Sequence, residues 1–225
     1  MKIKHLIIFV FIMCSETFFS NAQSNIDSAE KKYIKHYFLA EKYKALEEYE
    51  RAKTEYYFCI NEKPNESAAF FQLAKIYFSL GDYNQAKECA LEASKLAPKN
   101  IWYLYLLIEI YYQNFELEKQ AKVWEELIQI NKSNQVYYLE AVYTYMHLEL
   151  FKKALKIIQK AEKNIPQNEN IIILKSDVFQ KLNNLDKAAE IILSAHKKHP
   201  KNLNFLKKLS EIYVLQSKYE LANGI

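Results

Sequence analysis

The residues of this sequence that come nearest to a chemical site are His196 and His199, spaced i, i+3 at the end of a predicted helix. That spacing suits two ligands of a metal ion, but no carboxylate or cysteine of a metal motif accompanies them, which favours exposed helix-end histidines. Gly81 and Gly224 are the only glycines, so a glycine-rich loop that cradles phosphate is excluded. No nucleophile stands at a motif-like spacing from a base. The sequence therefore predicts a protein that is not an enzyme and that uses no metal or cofactor.

The elements that must position any binding site follow a tandem repeat with a step of about 34 residues. All four prolines obey it, since Pro64 to Pro98 and Pro166 to Pro200 each span one step and Pro98 to Pro166 spans two. Aromatic residues recur at the same step at Tyr43, Tyr77, Tyr111, Tyr145, Phe179 and Tyr213. Because proline cannot continue a helix, each copy should end near a helix stop.

One copy, residues 67–100, shows the pattern of a helical hairpin. Its residues are Phe70, Leu73, Ala74 and Tyr77 in the first helix, Gly81-Asp82-Tyr83 in the turn, Ala86 and Ala93 in the second helix, and Pro98 at the end. This segment resembles a tetratricopeptide repeat. The resemblance covers residues 33–225 and implies an all-α fold, an α-solenoid in which stacked helix-turn-helix hairpins form a right-handed superhelix.

The repeat also predicts the domain organisation. We expect a signal peptide at 1–22, a lead-in at 23–32 and an array over 33–225. The repeats of the array would be 33–66, 67–100, 101–134, 135–168, 169–202 and a partial copy at 203–225. Three residues depart from the pattern: His36 in a large apolar position, Gln120 in a small one and Lys175 in an apolar one. Because an unpaired buried ammonium is costly, Lys175 must reach solvent or an acid.

A second stripe of each first helix lies about 140° from the apolar stripe, and in the resemblance it faces a concave groove that holds partners. Aromatic residues are concentrated on it in the second to fourth copies. The predicted partner-binding residues are Tyr37, Phe71, Lys75, Phe78, Trp102, Tyr105, Glu109, Tyr112, Tyr143 and Met146. Tryptophan and tyrosine dominate recognition sites because they bury much area at low entropy cost. An alternative stays open, in which some of these aromatics pack between neighbouring helices. Some relatives clamp a partner's terminal carboxylate with lysine and asparagine, and Glu41 on this stripe argues against that mode.

The N-terminus has the layout of a secretory signal. A basic start, Met1 to His5, is followed by an apolar run from Leu6 to Met13 and by small residues up to Ala22. We expect export to the periplasm or the outer membrane of a Gram-negative bacterium. An uncleaved anchor and lipidation at Cys14 are weaker alternatives, since the residues before Cys14 are large.

The net charge bears on the class of partner, and two of the cysteines bear on a possible disulfide. The net charge of +4 is dispersed, whereas a nucleic-acid binder would carry a concentrated basic face, so no nucleic-acid partner is expected. Association with a membrane would be peripheral at most. Cys59 and Cys89 could form a disulfide after export, but Cys59 stands where other copies carry alanine, which favours a small buried side chain.

These observations predict a protein-interaction scaffold of the bacterial envelope that binds a protein or peptide partner in an aromatic groove. Two alternatives remain: a sensory ectodomain of a longer signalling protein, and a glycan-binding module in which tryptophan and tyrosine stack on sugars. The array stops inside its last hairpin, at Tyr219 to Ala222, so this end could also form a homodimer.

Overall fold

The computed structural model describes residues 28–224, so the predicted signal peptide and Cys14 lie outside the described residues. Within that range the chain forms helices and no strand. The helices are α1 Ser28–Ala45, α2 Tyr49–Glu62, α3 Ser67–Ser79, α4 Tyr83–Leu96, α5 Ile101–Gln113, α6 Leu117–Ile130, α7 Gln135–His147, α8 Phe151–Asn164, α9 Glu169–Lys181, α10 Leu185–Lys198, α11 Leu203–Leu215 and α12 Tyr219–Asn223. The all-α prediction is confirmed. None of these helices is long and apolar enough to cross a bilayer.

The described chain divides into two compact units, with the boundary between Pro98 and Lys99. In the N-terminal unit α1 packs on α2, α2 on α3 and α3 on α4. Small buried residues let the paired helices approach closely, and buried Tyr56 and Leu73 fill the space beside them. The small residues are Ala40, Ala52, Cys59, Ala74, Ala86, Ala90 and Ala93.

In the C-terminal unit each helix from α5 to α12 packs on the next one along the chain. The odd-numbered first helices also lie side by side, α7 against α9 and α9 against α11. The apolar stripe predicted for α5 and α7 is buried in full. Its members are Leu104, Leu107, Ile108, Tyr111, Tyr138, Ala141, Val142 and Tyr145. At the far end, α12 packs on α11 and Leu209 is buried.

The turn inside each hairpin has the same backbone geometry at every step of the repeat. Six turn residues have positive φ between 56° and 78°, and glycine occupies only one of these positions. They are Glu47, Gly81, Phe115, Glu149, Asn183 and Ser217. The next N–H along the chain bonds to the carbonyl five residues back, as in Glu116 N to Tyr111 O at 2.8 Å. This left-handed cap satisfies the last carbonyls of the first helix, and the second helix starts two residues later.

Two of the three departures from the repeat pattern, His36 and Lys175, have partners in the structure. Nδ1 of His36 lies 2.6 Å from Oε2 of Glu55, and its ring stacks on Phe58 with centroids 4.8 Å apart. Nζ of Lys175 donates to Oε1 of Glu162 at 2.7 Å. The prediction that Lys175 reaches solvent or an acid is confirmed, because an ion pair with Glu162 compensates the charge at this half-buried position.

Candidate functional site

In the C-terminal unit, three of the predicted binding aromatics are open to solvent on the first helices α5 and α7. Trp102 is 66% exposed, Tyr112 is 57% exposed and Tyr143 is 52% exposed. Val136, on the same stripe of α7, is also exposed. Because large aromatics are normally buried, exposed ones grouped on one stripe of neighbouring hairpins mark a candidate interaction surface. We call these four residues, with Tyr105 and Glu109, the aromatic face.

Tyr105 links this face to the buried aromatic rings beneath it. Its ring contacts Trp124 of α6 edge-on at 6.1 Å and Tyr137 of α7 at 6.4 Å, both partners being buried. Its hydroxyl lies 3.4 Å from that of Tyr137, and burial together with this contact raises the pKa of Tyr105 to about 12. Trp102 leans on Tyr105 at a centroid distance of 6.2 Å. The half-buried tyrosine therefore holds the exposed indole on a packed aromatic base.

Helices α5 and α7 contain few acidic or basic side chains, and His147 at the end of α7 is the only basic one. Neither helix contains lysine or arginine, whereas each contains one glutamate, Glu109 and Glu140. Glu109 is exposed and lies on the stripe of Trp102, Tyr105 and Tyr112, because positions 102, 105, 109 and 112 fall within about 80° of one another on a helix. Met146, the last predicted residue of this unit, is half-buried.

The predicted aromatics of the N-terminal unit are more deeply engaged in packing. Tyr37 stacks on Tyr33 with centroids 5.7 Å apart and meets Tyr56 edge-on at 5.7 Å. Phe78 packs on Tyr83 at 5.5 Å. Phe71 is half-buried, and among the predicted residues of this unit only Lys75 is exposed, with its Nζ 5.7 Å from the centroid of the Phe71 ring. Here the alternative left open by the sequence applies, and the aromatics serve packing between helices.

A polar centre lies next to Tyr37. Glu41 accepts hydrogen bonds of 2.5 Å from the hydroxyl of Tyr56 and from Nζ of Lys44, and that Nζ also donates to Oε1 of Gln72 at 3.0 Å. Burial opposes ionisation of Glu41, but the bonds from Lys44 and Tyr56 outweigh it and lower its pKa. The carboxylate is therefore ionised and satisfied within the chain.

The C-terminal unit also contains a cavity and the histidine pair that the sequence singled out. A cavity of about 620 Å³ borders α8, α9 and α10, and of its lysines Lys175, Lys187 and Lys198 the first two are paired with Glu162 and Glu190. No group of three metal-ligating side chains occurs within residues 28–224. His199 is the C-cap residue that follows α10, and its ring lies 6.4 Å from that of Phe205.

The two cysteines that the structure describes are buried free thiols. Burial raises the pKa of Cys59 to about 12 and that of Cys89 to about 11. Both thiols are protonated at neutral pH, so they are poor nucleophiles and fill space in the core. The interpretation of Cys59 as a small buried side chain is confirmed.

The sequence analysis did not identify Trp124, whose ring packs against that of Tyr105. A signal existed, because Trp124 and Tyr56 stand at equivalent positions two steps of the repeat apart. Each of the two aromatics meets edge-on the tyrosine of the first helix in its own hairpin, Tyr56 meeting Tyr37 and Trp124 meeting Tyr105. Phe115, 88% exposed in the turn after α5, was also missed because it lies outside the first helices.

Comparison with known proteins agrees with this architecture. A family model described as tetratricopeptide repeat matches residues 67–100. No curated protein matches the chain. Among solved structures, a crystal structure of MamA protein aligns at a TM-score of 0.54 and 17% identity over 84% of this chain and 96% of that chain.

Two further structures are similar. A tetratricopeptide repeat protein from Parabacteroides merdae aligns at a TM-score of 0.54 and 16% identity, over 86% of this chain and 77% of that chain. MamA from Desulfovibrio magneticus, residues 41 to the end, aligns at 0.50 and 16% identity, over 76% and 97%. At these identities the likeness shows the fold alone. Together with the match of residues 67–100 to a tetratricopeptide repeat and the helix pairs that recur at the same step along the chain, it shows that the chain has the fold of an α-solenoid of helical hairpins, like the tetratricopeptide repeat protein from Parabacteroides merdae.

Proposed function

We propose that this protein is a non-enzymatic interaction scaffold that holds an extended or helical segment of a protein partner against the aromatic face of α5 and α7. The observation that carries the proposal is the exposure of Trp102, Tyr112 and Tyr143 beside the packed Tyr105. Burying an exposed indole and two phenols removes much apolar area from water, and their few rotatable bonds keep the entropy cost low. A peptide in a groove or on a helix face uses anchors of this kind.

The proposal places the scaffold in the bacterial envelope. Its support is the basic and apolar layout of residues 1–22, which is typical of a secretory signal. Cell fractionation with N-terminal sequencing tests this part on its own. A mature chain that starts at Gln23 in the envelope fraction supports export, and an intact Met1 in the cytoplasmic fraction refutes it.

The binding proposal is tested by photocrosslinking in living cells. A photoreactive phenylalanine analogue at position 112, which is exposed, should capture a discrete protein partner. The same analogue at position 219 is the control, because Tyr219 is similarly exposed on α12 but lies off the aromatic face. Trp102→Ala in the crosslinking chain should remove most of the product, since the indole would anchor the partner.

Trp102 is a better target than Tyr105 for this purpose. Its side chain is solvent-exposed, so its truncation leaves the core intact, whereas Tyr105 contacts Trp124 and Tyr137. Capture at position 112 that is unchanged by Trp102→Ala, or equal capture at position 219, would refute the aromatic face as the binding surface.

A further inference from the structure

Two hairpins of this chain carry a glutamate at the same repeat position, but its surroundings differ between them. Glu41 and Glu109 are two steps of the repeat apart, and each lies one turn after an equivalent tyrosine, Tyr37 or Tyr105. Each of these tyrosines meets an aromatic of its own second helix edge-on, at 5.7 Å and 6.1 Å. The chain therefore contains two copies of one local arrangement, and the first serves as an internal reference for the second.

In the first copy the carboxylate of Glu41 is paired with the ammonium group of Lys44. Glu41 accepts from Nζ of Lys44 at 2.5 Å and from the hydroxyl of Tyr56 at 2.5 Å. These two contacts lower its pKa against the opposing effect of burial. The site built around Tyr37 thus stabilises a carboxylate that holds an ammonium group.

In the second copy both of those partners are replaced. Tyr112 stands at the position equivalent to Lys44, and Trp124, which has no hydroxyl, at the position equivalent to Tyr56. Glu109 makes no side-chain hydrogen bond or ion pair with any residue in the part of the chain that the structure describes. It is exposed between Tyr105 and Tyr112 on the aromatic face. A cation brought to Glu109 would meet a carboxylate and two aromatic rings, the groups that bind ammonium and guanidinium ions.

The surrounding charge favours the same ligand. Helices α5 and α7 contain two glutamates and no lysine or arginine, in a chain with a net charge of +4. The neighbouring second helix α8 has the opposite balance, with five lysines and one glutamate. At Tyr143 of α7, burial, Asp177 and Glu140 raise the pKa, while Lys208, which is paired with Asp177 at 2.6 Å, lowers it. A basic segment would be drawn to the first helices and away from α8.

We propose that the partner segment is basic, and that a lysine or arginine side chain of the partner binds Glu109 between Tyr105 and Tyr112 as Lys44 binds Glu41 within the chain. This inference rests on the proposed function and specifies its partner chemistry. Apolar residues that flank the basic side chain would pack on Trp102 and Val136, which are exposed on the same face. The cation fixes the register and orientation of the segment, while the aromatic contacts provide most of the buried area.

A random short-peptide library displayed on phage, selected on the immobilised full chain, tests the inference. We expect the retained peptides to be enriched in lysine or arginine next to apolar residues. For a retained peptide made synthetically, Glu109→Gln should raise the Kd about tenfold or more, because a charge-assisted hydrogen bond is lost. Replacing the basic residue of the peptide by norleucine should have the same effect, and combining the two changes should add little.

The controls separate the two proposals. Glu41→Gln should leave the Kd unchanged, and a thermal melt of each variant reports its folding. Peptides that are lost with Trp102→Ala/Tyr112→Ala but show neither basic enrichment nor sensitivity to Glu109→Gln would overturn the basic-partner inference and leave the proposed function standing. Peptides retained equally by Trp102→Ala/Tyr112→Ala, or no peptide retained by the unmodified chain, would overturn both.

Discussion

The side-chain amide of Asn168 donates a hydrogen bond of 2.6 Å to Oε1 of Gln135, the first residue of the preceding first helix. At the same time Oδ1 of Asn168 accepts from the backbone N–H of Ile171 and caps α9. Asn202, one repeat later, caps α11 and donates to Oε2 of Glu169 at 2.6 Å. In both repeats the asparagine thus starts its own helix and links it to the preceding first helix.

We predict that Asn168→Ala lowers the free energy of unfolding by about 2 kcal/mol, because it removes both an N-cap and an inter-repeat hydrogen bond. Gln135→Ala is the matched control, since it removes the acceptor of the inter-repeat bond but leaves the cap of Asn168 in place. Its loss should be about half as large. Urea denaturation of the three proteins measures both values. Equal losses for the two variants would show that the cap contributes nothing, whereas no loss for the control would show that the link to Gln135 contributes nothing.

Because the turn residues have positive φ, substitutions at two equivalent turn positions should change the free energy of unfolding in opposite directions. Phe115 has φ 57° and is 88% exposed, so Phe115→Gly relieves backbone strain without removing a core contact. We expect the free energy of unfolding to rise by about 0.5 kcal/mol, after the greater flexibility of glycine in the unfolded chain is counted. Thermal denaturation checks this, and a lower Tm would reveal a stabilising contact of the Phe115 ring.

At the equivalent position of the N-terminal unit the reverse change should destabilise the fold. Gly81 has φ 78°, and a Cβ built on it meets no atom within 4 Å. Gly81→Ala should therefore cost about 1 kcal/mol through backbone conformation alone. Gly81→Asn is a control that tolerates the left-handed region and should cost less. Comparable losses for alanine and asparagine would contradict this explanation.

Lys175 lies on the core stripe of α9 and forms an ion pair with Glu162. This ion pair determines how much the free energy of unfolding changes when Lys175 is replaced by an apolar residue. Their side chains are 29% and 40% exposed, so the pair is partly screened by water. A double-mutant cycle with Lys175→Met and Glu162→Gln should give a coupling free energy of about 0.5 kcal/mol that shrinks at high salt. A coupling of zero at low salt would show that Lys175 is held by its aliphatic stem alone.

The pH dependence of stability should carry a contribution from Glu125. Burial opposes its ionisation, but hydrogen bonds from Nζ of Lys160 at 2.8 Å and from the hydroxyl of Tyr145 at 2.6 Å outweigh burial and lower its pKa below the ordinary 4.5. A depressed folded pKa gives stability that is present above pH 4.5 and is lost as the pH falls through the folded value.

Glu125→Gln should therefore reduce stability at neutral pH and flatten the loss of stability on acidification below pH 4.5. Glu118→Gln on the same helix is the control, because Glu118 is exposed and forms no ion pair with the described residues. Denaturation curves recorded over a series of pH values give both profiles. Parallel profiles for the unmodified protein and Glu125→Gln would contradict the assigned hydrogen bonds.

The sequence by itself determined the helical hairpin, its period and its buried stripe. Pro64, Pro98, Pro166 and Pro200 all lie in turns that follow second helices, as expected for a residue that cannot continue a helix. The aromatics at Tyr111 and Tyr145 are buried at equivalent places. Periodicity could predict these features because a helix of fixed pitch presents the same positions to its neighbour in every copy.

The tertiary structure decided which side chains of the second stripe remain open. Trp102 and Tyr105 share that stripe, yet the first is exposed and the second rests on Trp124 from another helix. Glu41 and Glu109 share a repeat position, yet only Glu41 has a lysine and a phenol within hydrogen-bonding distance. The period determines on which face of its helix a residue lies. Whether its side chain is exposed or paired depends on the side chains that other helices bring into contact with it.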